Sequence, residues 1–169
     1  PLKDGSLIYS VVGSVQRGEA GEPGALQGEF QTGSTVGTVE ENTGSGIFGT
    51  MTDSSLYTSL ESVPVASDDE IQTGDAEILS NVEGDAVEKY SVQVVKVYPA
   101  DDEYGRGMML RVTDQELLDK TGGIVQGMSG SPVLQNGKII GAVTHVLVND
   151  PTCGYAISIG RMLKEMTND

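Results

Sequence analysis

The chain has 169 residues, with 25 acidic against 10 basic and a formal charge of -15, so it would repel a phosphate backbone over most of its surface and no nucleic-acid partner is expected. Cys153 is the only cysteine and His145 the only histidine, which excludes an intrachain disulfide and leaves too few ligands for a zinc site. No apolar run approaches a membrane span, and 23 glycines spread along the chain with only 5% aromatic residues favour short strands and tight turns over helices.

A chain of this length is about one domain. It begins at Pro1 without an initiator Met, which reads as a piece of a longer protein, with any signal or membrane anchor upstream. Residues 7–15 are β-branched and aromatic without charge, predicting a strand, and residues 18–24 break it. Short strands are expected at residues 28–32, 34–40 and 47–50, with a turn at residues 42–46. The spelling Gly44-x-Gly46-x-x-Gly49 matches a dinucleotide fingerprint, but no helix follows it. Residues 62–77 carry Asp68, Asp69, Glu70 and Asp75 and read as a solvated connection, lacking the terminal Glu of a calcium loop. Strands are predicted at residues 88–98 and 108–112, and helices at residues 115–120 and 160–166.

The most specific pattern is Gly127-Met128-Ser129-Gly130-Ser131-Pro132, followed by Asn136-Gly137 between apolar runs. Asn-Gly in that setting predicts a tight hairpin turn. Glycines flanking Ser129 let the backbone bend so that the N–H groups of Gly127 and Ser129 can converge on a developing oxyanion, with Ser129 as nucleophile. Ser131 is the competing hydroxyl, and a plain Gly-rich turn into a hairpin is the alternative to a catalytic loop. His145, sixteen residues after Ser129, is weighed as a lining residue of the substrate pocket, as a packed core histidine, or as the base of a Ser129–His145 dyad oriented by Asp150. Asn149 and Asp150 before Pro151 otherwise read as turn formers.

Residues 123–132 and 136–149, the run Asn149-Asp150-Pro151-Thr152, and the opening Lys3-Asp4-Gly5 with Gly21-Glu22-Pro23-Gly24 resemble the SpoIVB family, sporulation serine peptidases of endospore-forming Firmicutes. The resemblance runs through essentially the whole chain, and its C-terminal third is the specific part. It implies an all-β, trypsin-like double β-barrel with a short C-terminal helix, here without its first strands, and residues 1–169 as an N-terminally truncated peptidase domain preceded by a PDZ domain. It implies export from the forespore into the space between forespore and mother-cell membranes, and cleavage of a membrane-bound regulator that releases sigma-factor processing. The family's catalytic Ser matches Ser129 and its Asp matches Asp114, fifteen positions earlier, whereas its His falls before Pro1. No cofactor is implied.

Asp114 has a second reading as the N-cap of the helix that follows it. Without a general base a serine hydroxyl is a poor nucleophile, so this chain alone is expected to be nearly inactive. The contrasting functional class is a non-catalytic β module kept for binding. Opening a barrel by removing a strand would expose an edge, so the missing strand is expected to be supplied by a neighbour or to lie outside the barrel.

Overall fold

A computed structural model describes residues 5–100 and 102–166; Lys3 and Asp4 of the opening motif lie outside the described residues. Strands β1 (Gly5–Gln16), β2 (Ala25–Thr43) and β3 (Gly46–Met51) form an antiparallel three-stranded sheet in that order. β2 joins the two strands expected at residues 28–32 and 34–40. The partner of β2 moves only from Ile8 to Ser10 while β2 runs from Thr35 back to Phe30, so the intervening residues bulge without ending the strand.

Six further strands close a barrel: β4 (Gly74–Ser80), β5 (Glu88–Val97), β6 (Met108–Val112), β7 (Pro132–Gln135), β8 (Lys138–Leu147) and β9 (Asp150–Ser158), in the order β4-β5-β6-β9-β8-β7. Helix α1 (Gln115–Thr121) links β6 to the segment before β7, and α2 (Ile159–Met166) ends the described chain against β8 and β9. The six-stranded barrel is closed among the described residues, whereas the three-stranded sheet is not, its β1 edge being bridged at Val12 to Gly84.

Alternation explains the barrel core. Tyr90, Val92 and Val94 of β5 point inward, as do Met108 and Leu110 of β6, each at most 2% exposed. Burying such side chains contributes about 1.5–3 kcal/mol apiece. The expectation of an acidic loop through residue 77 needs correcting at its end, because β4 begins at Gly74. Asp75 and Glu77 occupy the outward face of an alternating strand whose inward residues are Ala76, Ile78 and Ser80. The Asn136-Gly137 turn joins β7 to β8 with φ of 52° and 76°, the positive values that a type I′ turn requires.

Candidate active site

The segment from α1 to β7 is held at several points. The buried Thr121 hydroxyl shares its one proton between the carbonyls of Leu117 and Gly123 and accepts the Gly123 N–H. Ile124, Val125 and Met128 are no more than 2% exposed, so the segment is anchored by side chains in the barrel core. Met128 N–H donates to the Val125 carbonyl at 3.2 Å and Ser131 N–H to the Met128 carbonyl at 3.0 Å, tightening two successive turns. Gly127 and Gly130, at φ of 99° and 92°, take the left-handed backbone that these turns need.

Loop and barrel are then stitched together. Gly130 N–H donates to Val143 O at 2.8 Å and Val143 N–H to Ser131 O at 2.9 Å. Ser129 is exposed at the apex, and its hydroxyl donates to the Thr144 carbonyl at 2.8 Å. Among the described residues neither the Gly127 nor the Ser129 N–H has a protein acceptor. Two donors without partners therefore flank an exposed hydroxyl, the arrangement expected of an oxyanion hole beside a nucleophile. Ser131 differs: its half-buried hydroxyl is bonded to Ser80 at 3.2 Å.

Ser129 borders two cavities. One, of about 470 Å³, lies between barrel and sheet, walled by Ser45 and Ile47 from the β2–β3 hairpin, Ala142 and Thr144 of β8, Ile157 of β9 and Met162 of α2. The other, of about 360 Å³, opens between Gly127 and Pro132 on one side and Leu79, Asn81 and Val87 on the other.

The remaining expected site residues lie elsewhere. Asp114 is the N-cap of α1: one carboxylate oxygen accepts the N–H groups of Glu116 and Leu117 at 3.0 and 3.2 Å, and the other accepts Ser91 N–H at 3.1 Å. With three backbone donors on its carboxylate, it lines neither cavity beside Ser129. His145 is exposed on β8, next to Thr144 but lining neither cavity; a bulge between Val143 and His145 turns the strand there. Of the residues of β8, Ala142, Val143 and Thr144 line the larger cavity. No hydrogen bond joins Ser129 to His145 among the described residues, and Asp150 is occupied by Thr152. Sequence reasoning missed Ile47 and Met162, which reach the cavity only through the packing of a distant hairpin and the last helix.

The protease Rv3671c of M. tuberculosis has a similar fold. Its active form matches with a TM-score of 0.55 at 15% identity over 93% of this chain and 70% of that one. An inactive mutant form from strain H37Rv matches with a TM-score of 0.54 at 15% identity over 81% of this chain and 66% of that one. The chain therefore spans about two thirds of the length of these structures. No curated protein matches the chain. The model of the SpoIVB peptidase S55 family matches residues 1–163, and the chain belongs to that family.

Proposed function

We propose that this chain is the nucleophile-bearing part of a serine endopeptidase that cleaves a protein substrate. The observation that carries the reading is the exposed Ser129 hydroxyl flanked by the acceptor-free N–H groups of Gly127 and Ser129 on a loop locked into a closed barrel. Ser129 Oγ attacks the scissile carbonyl, its proton passes to a general base, and the two N–H groups hold the resulting oxyanion. Collapse expels the amine, which takes the proton, and water then releases the acyl group by the same route. One oxyanion donor is worth about 10²–10³ in kcat.

Membership of the family supports a histidine base from residues before Pro1, where the family's histidine falls. A histidine that reaches Ser129 would compete with the Thr144 carbonyl for the hydroxyl proton. Asp114, committed to the α1 cap, is not assigned the role of orienting that base. Membership of the SpoIVB family supports a finer reading: a peptidase exported from the forespore that cleaves a membrane-bound regulator of sigma-factor processing.

The test uses the full-length protein, including the residues before Pro1, with a fluorophosphonate probe. Labelling lost in Ser129→Ala and kept in Ser131→Ala is the expected result. Labelling that persists in Ser129→Ala sinks the assignment, and a full-length protein that never labels favours a binding module.

A further inference from the structure

The connection between β1 and β2, read from sequence as a mere break, is knitted into the segment that carries the nucleophile. Gly18 N–H donates to Thr121 O at 2.8 Å, and Gly21 N–H donates to Val148 O at 2.8 Å. The Arg17 guanidinium donates to the Asp119 carbonyl. The start of β2 then forms a parallel bridge, Ala25 with Gln126, in which Leu26 N–H donates to Gln126 O at 2.8 Å and Gln126 N–H to Gly24 O at 2.9 Å. The Leu26 side chain packs on the next residue so closely that a Cβ at Gly127 would lie 3.0 Å from it.

Peptide planarity turns this bridge into a constraint on chemistry. The Gln126 carbonyl and the Gly127 N–H belong to one trans peptide unit, so they point in opposite directions. Leu26 N–H holds the carbonyl, which aims the Gly127 N–H away from β2 and leaves it without a protein acceptor. A glycine at positive φ resists rotation of that unit little by itself. We infer that residues 24–26 of the three-stranded sheet are a positioning strap, in which the Leu26 N–H fixes the Gln126–Gly127 peptide in the orientation that makes the oxyanion hole. The inference rests on the serine-peptidase reading, and it makes the sheet a determinant of catalytic competence in the barrel.

Leu26→Pro deletes the donor and sets a ring carbon against Gln126 O. The β1 ladder keeps its bonds, because this N–H is directed to Gln126 rather than to β1. Leu26→Ala keeps the donor and removes the side chain. In the full-length protein, reacting with a fluorophosphonate whose phosphoryl oxygen mimics the oxyanion, Leu26→Pro is expected to lower the maximal inactivation rate about 10²-fold. The probe concentration for half-maximal rate stays at the wild-type value, and Leu26→Ala stays within a few-fold of wild type. Replacing the 25–26 amide by an ester removes the N–H without the ring and gives the same loss even where the proline variant melts early. Wild-type inactivation rates in both the proline and ester proteins overturn the strap while leaving Ser129 as nucleophile; a wild-type protein that does not label overturns the peptidase reading and the strap with it.

Discussion

The barrel and the three-stranded sheet solve different problems with the same strand chemistry. The barrel closes on itself around a largely apolar interior and anchors the Ser129 segment through Ile124, Val125 and Met128. The sheet does not close among the described residues and leaves Phe30 and Ile47 70% and 57% exposed, yet one end of it grips the Ser129 loop and its β2–β3 turn walls the neighbouring cavity. Rigidity thus comes from the barrel, whereas completion of the site depends on the sheet. On the proposed reading, a serine that is folded but competent only when the sheet is in place follows from dividing the site this way.

Substitutions in the two regions should separate these contributions. The largest effect is expected at their junction. Gly127→Ala places a side chain at a φ of 99° against Leu26 and should lower the rate of Ser129 acylation by about 10²-fold or more, measured as probe labelling. Next comes the contrast between the cores. Ile78→Ala in β4, fully buried, should lose about 2–5 kcal/mol in denaturant unfolding, against a change within about 0.5 kcal/mol for Phe30→Ala in the sheet. Equal losses would erase the distinction between the regions.

Asp114→Ala tests the cap. Loss of its backbone acceptors should cost about 1–2 kcal/mol in unfolding while the labelling rate of Ser129 is maintained. A fall in that rate much larger than the loss of folded protein would return Asp114 to the catalytic machinery. The smallest effect is a pH dependence. Arg106 forks onto Asp102 at 2.8 and 3.1 Å, with the N–H groups of Tyr104 and Arg106 on the same carboxylate, and holds its pKa down to about 2 from 3.8. A depressed carboxylate contributes stability above its unfolded pKa, and that contribution is lost as pH falls from about 4 toward 2. Asp102→Asn should flatten the melting temperature across that interval, and an unchanged slope would rule the pair out as its cause.

What the sequence made legible is what local chemistry controls. Asn136-Gly137 announced its turn, Asp114 its helix, and Val92, Val94, Val97 and Tyr98 their strand, because each signal lies within a few residues of its effect. β4 was hidden since its outward Asp75 and Glu77 share the composition of the loop before it, while its inward face begins with a small Ala76. β9 went unread for a related reason: Pro151 and Gly154 look like breakers, although the Ile124 side chain packs directly over Gly154 and needs the missing Cβ. The strap at residues 24–26 was illegible in principle, because it is made by backbone N–H and C=O groups that every sequence possesses. The bulge between Val143 and His145, which turns β8 there, is a tertiary feature with no local marker.

The most direct test is the structure of the full-length protein after reaction with a peptidyl phosphonate. The account predicts phosphorus bonded to Ser129 Oγ, with the phosphoryl oxygen within hydrogen-bond distance of both the Gly127 and Ser129 N–H groups and the Leu26–Gln126 bond intact. An adduct on Ser131, or a phosphoryl oxygen turned away from Gly127, would contradict it.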